Sequence, residues 1–359
     1  HAGEPHAVVS FCQPLVGRAT GVGALTGIGH MARVYSTPTT DDGLAPQENI
    51  MAQARTDWKG VFTPIVTPFT PDGAFDEAAV RQVVDQQIAE GAHGIIAAGS
   101  TGEWFSLTDD ERIRLFEVCK EQVAGRRPLL AGTAAIGTDQ AVAMTRAAKK
   151  IGCDGCMVLP PPYALPSRRE VIAHYKSIAD VGLPIMLYNN PNRTQIDLVP
   201  SLVDDLAAFD AVVAIKDSSK DLFQKAETCH RVKDRLAVFT GMEPYALTMI
   251  QRGVVGIVSM MANVCCTHVV ANFEHSFAGR YAEAMPHQDV IDRAFEIIAR
   301  HGLGNYPTIK AMMNVLGRCG GDVRQPYLPA PDDVLAKIRD ELAAIGLTAA
   351  SVGNQAAAE

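Results

Sequence analysis

Residues 212–219 read Val-Val-Ala-Ile-Lys-Asp-Ser-Ser, a short apolar run that ends in a lysine. Three of its four apolar residues are β-branched, which is typical of a strand buried on both faces of a parallel sheet. Lys216 would then stand at the strand end against apolar walls. Desolvation there disfavours the ammonium form, and the neutral amine could attack a ketone to form a Schiff base. The alternative is a lysine that only closes a strand and extends its amine into solvent.

Apolar runs of this kind recur along the chain and alternate with amphipathic helical patterns, such as those over 76–90 and 108–123. A repeat of βα units at this spacing predicts an α/β fold, a (β/α)8 TIM barrel, over residues 57–278. A doubly wound sheet is the competitor, but Gly-x-Gly-x-x-Gly follows none of the runs. Besides 212–216, the predicted strands are 60–69, 94–99, 128–134, 155–160, 184–188, 237–241 and 256–260.

The sequence on either side of the barrel has a different character. Residues 1–56 are rich in small residues and proline without periodicity, which predicts a poorly ordered extension or leader. Helical patterns over 266–301, 306–318 and 331–345 exceed what one closing helix needs, so residues 279–347 are assigned to a C-terminal helical appendage. Residues 348–359 read as a frayed tail.

The composition limits the possible partners. A net charge of -8 and a pI near 5.7 argue against nucleic acid and against an anionic membrane surface. No apolar run is long enough for a membrane span. The eight cysteines follow no disulfide framework, and residues 153–156, Cys-Asp-Gly-Cys, lack a second ligand pair, so they are interpreted as a helix-to-strand junction. We therefore expect a cytoplasmic protein with a small-molecule substrate.

The loop after the second predicted strand could bind an anion. Residues 99–103 read Gly-Ser-Thr-Gly-Glu, so backbone N–H groups and the hydroxyls of Ser100 and Thr101 could cradle a small carboxylate. A plain glycine-rich turn with a helix cap is the alternative. In a barrel, this loop shares one mouth with the other strand ends.

Three further side chains fall at that mouth. Tyr188 ends the fifth run, where its phenol could exchange a proton with a carbinolamine on Lys216, and Arg193 beyond it could bind a carboxylate with two N–H groups. Tyr163 follows three prolines and would project from a rigid loop, toward a proton relay or a subunit contact. A core aromatic and a solvated loop charge are the alternatives for Tyr188 and Arg193. Joint placement at one mouth favours catalysis.

Three motifs occur in order: Gly-Ser-Thr-Gly-Glu at 99–103, Tyr-Asn-x-Pro-x-Arg-Thr at 188–194 and Ile-Lys-Asp at 215–217. With them the chain resembles the dihydrodipicolinate synthase / N-acetylneuraminate lyase family from about residue 60 to residue 329. The resemblance implies that Lys216 forms a Schiff base with pyruvate or another 2-oxo acid and that Tyr188 is the general acid and base. Ser100 and Tyr163 resemble the other members of a proton-relay triad, in which the tyrosine can serve a neighbouring subunit.

The same resemblance implies how the 2-oxo acid is held. Thr101 resembles the residue that binds its carboxylate, while Gly241 and Val258 resemble backbone positions that line it. No metal and no other cofactor is implied, because the protonated imine is itself the electron sink. By likeness, the protein is expected to be a homotetramer.

The second substrate is less well defined. Arg193 within Pro-x-Arg-Thr resembles the synthase branch, where it binds the carboxylate of aspartate semialdehyde. Gln195, where the synthases have glycine, and the bulky pair at 104–105 depart from that branch. They fit equally an aldolase or dehydratase of 2-keto-3-deoxy sugar acids or an enzyme of N-acetylneuraminate-type substrates. A distant alternative is a module that binds a 2-oxo acid without catalysis.

Overall fold

The computed structural model describes residues 55–351. Residues 1–54 of the predicted N-terminal extension and residues 352–359 of the predicted tail lie outside this range.

Eight parallel strands close into a barrel in which each strand pairs with the next along the chain and the last pairs with the first. The predicted (β/α)8 TIM barrel is therefore confirmed. Every strand is buried along its whole length, as the continuous apolar runs predict for a parallel sheet covered by helices. The strands are β1 (Gly60–Pro64), β2 (Gly94–Ala97), β3 (Leu129–Gly132), β4 (Gly155–Val158), β5 (Ile185–Asn189), β6 (Val212–Asp217), β7 (Ala237–Thr240) and β8 (Gly256–Val258).

Helices follow the strands and then continue past the barrel. They are α1 (Glu77–Ala89), α2 (Asp109–Val123), α3 (Thr138–Ile151), α4 (Arg168–Ala179), α5 (Pro191–Thr194), α6 (Pro200–Leu206), α7 (Leu222–Val232), α8 (Ala246–Ile250), α9 (Ala262–Phe277), α10 (Tyr281–Arg300), α11 (Asn305–Val315) and α12 (Asp332–Ala344). None of the helices described is long and apolar enough to cross a membrane.

Two helix starts follow directly from the sequence. The Asp76 carboxylate accepts a hydrogen bond from the Ala79 N–H (2.9 Å) at the start of α1. At the start of α2, Thr108 and Glu111 form a reciprocal capping box, in which the Thr108 hydroxyl accepts from the Glu111 N–H and the Glu111 carboxylate accepts from the Thr108 N–H. These bonds satisfy N–H groups that have no partner within the helix.

The helical pattern predicted over 266–301 corresponds to two helices. The chain leaves α9 after Phe277 and enters α10 at Tyr281. Gly279 between them has a φ of 74°, a left-handed conformation that commonly ends a helix and that glycine adopts without a Cβ penalty. The other two patterns correspond to α11 and α12.

The barrel interior is a packed core. The rings of Phe62 and Phe239 meet edge to face at 5.2 Å between centroids. Gly94 and Gly256 leave the room for these rings, since a Cβ at either position would collide with Phe62 or Phe239 respectively. Because side chains fill the barrel interior, the space for a ligand lies near the carboxyl ends of the strands.

The segment 153–156 is a helix-to-strand junction, as predicted. Cys153 lies between α3 and β4, Cys156 lies within β4, and both thiols are free and buried. Across the residues the structure describes, no three His, Cys, Asp or Glu side chains are grouped to hold a metal ion.

A partly buried ion pair fastens the segment before α12 to α2. Arg324 donates to both Glu111 carboxylate oxygens, from Nη2 at 2.6 Å and from Nη1 at 2.8 Å. Its guanidinium also lies over the Phe69 ring, 4.2 Å from the centroid. The hydrogen bonds from Arg324, assisted by those from Thr108, lower the pKa of Glu111 to about 2 despite the opposing effect of burial.

We predict that Arg324→Met costs about 1–2 kcal/mol of unfolding free energy near neutral pH. The Glu111 pKa lies below its ordinary value in the folded state, so this contribution is fully present above about pH 4.5 and is lost as the pH falls toward 2. Urea unfolding across this range should show a deficit that shrinks with acid. Arg81→Met, which removes an exposed pair with Glu121, is the control and should cost less than about 0.5 kcal/mol. A deficit independent of pH would contradict the prediction.

Candidate active site

A cavity of about 330 Å³ opens at the carboxyl ends of the strands. Seven of the eight predicted site residues line it, from strands that are far apart in sequence but meet at the same end of the barrel. The cavity is lined by Ser100, Thr101, Tyr188, Asn190, Asn192, Arg193, Lys216, Ser218, Lys220, Gly241, Met242, Glu243, Val258, Met260, Phe295, Asn305 and Tyr306.

Lys216 and Tyr188 form the floor of the cavity. They are register partners on β6 and β5, and the Lys216 amine lies 4.0 Å from the centroid of the Tyr188 ring. Only 6% of Lys216 and 5% of Tyr188 is exposed. A primary amine and a phenol are thus held side by side where solvent access is small, the arrangement that imine chemistry needs.

The Tyr188 phenol is also electrostatically prepared to lose a proton. Burial raises its pKa, but the charge of Lys216 and the hydrogen bonds involving Asn190, Lys216 and Ser218 outweigh burial, so that the net pKa lies below the ordinary value. The Asn190 amide nitrogen donates to the phenol oxygen at 2.9 Å. A tyrosine with a lowered pKa can serve as both base and acid near neutral pH.

Gly241 gives Lys216 room. A Cβ at this position would lie 2.6 Å from Lys216 Cε and would also collide with the Ser218 hydroxyl. The absence of a side chain therefore lets the lysine reach the cavity alongside the end of β7. Val258, at the end of β8, is buried and belongs to the apolar cluster inside the barrel.

If Lys216 forms the Schiff base that the sequence resemblance implies, we predict that Gly241→Ala slows its formation about 10- to 100-fold while the protein still folds, because a displacement of about 1 Å is enough to spoil alignment. The atoms that must move are side-chain atoms, so the backbone can remain in place. The rate of adduct formation with pyruvate and the midpoint of thermal unfolding would be measured together. Gly137→Ala is the control, because its added Cβ meets nothing within 4 Å. Adduct formation by Gly241→Ala at the wild-type rate would refute the prediction.

The loop 99–103 is held tightly enough to act as a cradle. The Thr67 hydroxyl donates to the Gly102 carbonyl at 2.8 Å, and a Cβ on Gly102 would lie 3.0 Å from the Ile65 carbonyl oxygen. Glu103 takes a left-handed conformation with a φ of 54°, and its N–H donates to the Ser100 carbonyl at 3.1 Å. Thr101 is buried and lines the cavity.

Arg193 reaches the cavity from the one-turn helix α5. Pro191 begins this helix and Gln195 ends it with a φ of 59°. A left-handed φ at residue 195 explains why glycine would suit this position, although glutamine occupies it here. The Arg193 guanidinium lies over the Tyr306 ring, 5.4 Å from its centroid.

Tyr163 is the predicted site residue that the structure does not bring to the cavity. Its side chain is 89% exposed and its φ is 71°. Leu165 and Ile136, on this loop and the preceding one, are also largely exposed. The proline-rich loop thus presents Tyr163 to the outside of the chain.

Ten of the seventeen cavity residues were not predicted from the sequence, and two of them are Glu243 and Tyr306. Glu243 is buried beside the cavity, where its Oε1 accepts from the Ser259 hydroxyl (3.0 Å) and from the Met261 N–H (3.2 Å), and burial raises its pKa. It follows β7 closely, so the strand-end argument could have found it. Tyr306 comes from α11, and no barrel rule points to it.

Comparisons with known proteins agree with this geometry. The sequence pattern of the Dihydrodipicolinate synthetase family matches residues 57–345. The chain is 43% identical over 288 residues to an uncharacterized DapA-like lyase of Rhizobium meliloti, covering 80% of this chain and 96% of the relative. It is 34% identical to a 4-hydroxy-tetrahydrodipicolinate synthase of Pelobacter propionicus, covering 81% and 99%. The crystal structure of YagE, a family member from E. coli K12 in complex with pyruvate, superposes with a TM-score of 0.77 at 26% identity, covering 81% and 100%.

Proposed function

The chain belongs to the dihydrodipicolinate synthetase family of lyases and synthases, and from that premise we propose that Lys216 forms a Schiff base with the ketone of pyruvate. The observation that carries the proposal is the buried pair of Lys216 and Tyr188 at the floor of the cavity. The pyruvate complex of the similar YagE protein adds support for the first substrate.

The proposed reaction uses side chains of this chain at each step. The Lys216 amine attacks the ketone carbon of pyruvate, and Tyr188 protonates the carbinolamine oxygen, which leaves as water. The Tyr188 phenolate then takes a C3 proton from the protonated imine to give an enamine. C3 of the enamine bonds to the carbonyl carbon of an aldehyde while Tyr188 returns the proton to the aldehyde oxygen. Hydrolysis of the resulting imine frees the product and restores the lysine.

In this scheme the remaining predicted residues bind pyruvate or transfer protons. Thr101 and the neighbouring N–H groups of the loop 99–103 hold the pyruvate carboxylate, and Gly241 and Val258 border the rest of the molecule. Ser100 passes protons between Tyr188 and solvent. These roles rest on the resemblance, and the shared cavity supports them.

For the second substrate we propose aspartate semialdehyde, which makes the enzyme a 4-hydroxy-tetrahydrodipicolinate synthase of lysine biosynthesis. Arg193 carries this choice, since its guanidinium lines the cavity and can bind the aldehyde's carboxylate with two hydrogen bonds. Relatives about one-third identical over nearly their full length bear that name.

A second candidate is an aldolase or dehydratase of 2-keto-3-deoxy sugar acids, or an enzyme of N-acetylneuraminate-type substrates. The cavity favours it through three amide side chains, Asn190, Asn192 and Asn305, which could pair with the hydroxyls of a sugar chain. A non-catalytic module that only binds a 2-oxo acid is the distant alternative.

Two experiments, carried out one after the other, test the proposal. Borohydride reduction in the presence of pyruvate should add the mass of reduced pyruvate to the peptide that contains Lys216. A panel of aspartate semialdehyde, succinic semialdehyde and sugar aldehydes, each with pyruvate, then identifies the acceptor. Binding of pyruvate without a trapped adduct would indicate the non-catalytic module, and cleavage of a sugar-acid aldol with aspartate semialdehyde inert would favour the second candidate.

We also propose a homotetramer in which Tyr163 of one subunit completes the proton relay of its neighbour. The exposed Tyr163, Leu165 and Ile136 offer apolar surface for such a contact. Sedimentation analysis should give a tetramer, and Tyr163→Asp should weaken it.

A cytoplasmic location is proposed because the cysteines among residues 55–351 are free thiols, the state that a reducing compartment maintains.

A further inference from the structure

The strands β5 and β6 do not pair in continuous register. Ile185 pairs with Val212, whereas the next residue of β5 pairs with Ala214. Val213 is therefore an extra residue near the start of β6. The other seven pairs of neighbouring strands in the described barrel have no such shift. An extra residue of this kind bends the strand and locally disrupts the ladder of hydrogen bonds.

The register shift decides which residue lies opposite Tyr188. Beyond the shift, Tyr188 lies opposite Lys216, and Asn189 lies opposite Asp217. If the register of the first pair continued, Tyr188 would lie opposite Ile215 instead. Because side chains alternate between the two faces of a strand, a slip of one residue would turn Lys216 away from the barrel interior. The proximity of Tyr188 and Lys216 therefore depends on the contacts that hold the two strand ends.

Asn189, the last residue of β5, makes such contacts with both its side chain and its backbone. The residue is 0% exposed. Its Nδ2 donates to Asp197 Oδ1 at 2.8 Å, and its Oδ1 accepts from the Leu198 N–H at 2.9 Å. Its backbone carbonyl accepts from the Ser218 N–H, just beyond β6, at 2.8 Å. Asn189 thus joins the end of β5 to the end of β6 and to the segment before α6.

The groups around these strand ends are held in turn. Asp197 Oδ1 also accepts from Nε2 of Gln224, on α7, at 2.9 Å. Asp217 Oδ1 accepts from the Ser219 N–H at 2.7 Å, and the Asp217 carbonyl accepts from the Gly241 N–H at 2.8 Å. Hydrogen bonds of side chains outside the cavity lining therefore fix the strand ends from which cavity residues project.

We propose that Asn189 is a positioning residue for the reaction of pyruvate at Lys216, because it holds Tyr188 opposite that lysine beyond the register shift. This inference rests on the proposed function and adds to it a residue outside the cavity lining. Asn189 acts through Tyr188 and Lys216, so its loss should slow imine formation and the later proton transfers together. A displacement of about 1 Å can cost about 100-fold in rate.

The test needs pyruvate alone, so it does not depend on the identity of the aldehyde. Borohydride trapping at successive times gives the rate of imine formation. In D₂O, formation and reversal of the enamine replaces the methyl hydrogens of pyruvate with deuterium, and proton NMR follows the rate of this exchange. Asn189→Leu keeps the branched shape of the side chain and removes its donor and acceptor.

Gln87→Met is the matched control, because it removes another buried amide that bridges a strand to a helix. Gln87 is 1% exposed, accepts from the Thr63 hydroxyl of β1 at 2.8 Å and donates to the Ala262 carbonyl of α9 at 3.0 Å. None of these three residues lines the cavity. Both variants should lower the midpoint of thermal unfolding, since each leaves buried polar groups without a partner.

At a temperature where the variants are folded, we expect Asn189→Leu to slow both rates about tenfold or more, whereas Gln87→Met should stay within about twofold of the wild type. Wild-type rates in Asn189→Leu, slowing of only one of the two rates, or an equal slowing in Gln87→Met would each overturn the inference.

A second pair of variants, at Asp197, decides the question if Asn189→Leu does not fold. Asp197→Leu removes the oxygen that accepts from Asn189 and should slow both rates about threefold or more, whereas Asp197→Asn keeps an acceptor oxygen and should stay within about twofold of the wild type. Equal rates in the two Asp197 variants would overturn the inference. Absence of a trapped adduct in the wild type would instead overturn the proposed function and this inference with it.

Discussion

Lys216→Met is expected to abolish the trapped pyruvate adduct and to lower turnover on the order of 10⁴-fold or more, because it removes the proposed nucleophile, from which every later step of the proposed reaction proceeds. Methionine has nearly the length of lysine and carries no charge, so the variant should fill the same space beneath the cavity and fold. The adduct would be followed by mass spectrometry and folding by the thermal midpoint.

Two controls make this expectation specific. Lys216→Arg keeps a cation beside Tyr188 and removes the nucleophilic amine, so it should also fail to form the adduct. Lys220 is another cavity lysine, but it is exposed on the loop after β6, and Lys220→Met should still yield the adduct on the peptide that contains Lys216. An adduct that persists in Lys216→Met, or that disappears in Lys220→Met, would show that the nucleophile has been assigned to the wrong amine.

The proximity of Lys216 and Tyr188 could be predicted because it follows from barrel topology. Consecutive runs become neighbouring parallel strands, and residues at their carboxyl ends must meet. The same rule brought Ser100, Thr101 and Gly241 to the cavity. Each of these residues lies at or just beyond a strand end, where few backbone angles separate it from the barrel frame.

Barrel topology predicts the position of a residue less well the farther that residue lies from a strand end. Tyr163 follows the proline-rich loop after β4, where a φ of 71° directs the chain outward, and no strand periodicity specifies that angle. Tyr306 lies beyond the last strand, and its place in the cavity depends on how α11 docks. That docking is governed by side-chain contacts such as Lys310 with Glu103, which a single sequence does not reveal because any of many lysines could pair with any of many carboxylates.

The second large expected effect is on stability. Lys310→Met should lower the free energy of unfolding by about 3–5 kcal/mol near neutral pH, because it leaves the Glu103 carboxylate buried without its counter-ion. Burial already raises the pKa of Glu103, against the opposing effect of Lys310. Removing the ammonium group should raise that pKa further, since the opposing effect is lost.

The pH dependence provides a sharper test than the loss itself. A carboxyl group whose pKa is higher in the folded than in the unfolded state binds more protons when the protein is folded. The free energy of unfolding therefore falls as the pH rises from the unfolded-state pKa to the folded-state pKa. The deficit of Lys310→Met should therefore be larger at about pH 8 than at about pH 5.5, as measured by urea unfolding. A deficit that is the same at both values would contradict this account.

A double variant separates the buried charge from the lost packing. Glu103→Gln in the Lys310→Met background removes the carboxylate, so most of the deficit should be recovered and its pH dependence should vanish. The loop 99–103 would still lack its anchor to α11, and we expect pyruvate to bind about tenfold more weakly to the double variant than to the wild type, since the cradle is then less well ordered. Recovery of stability without recovery of affinity would show that the ion pair holds the loop 99–103 in position for binding in addition to contributing to the fold.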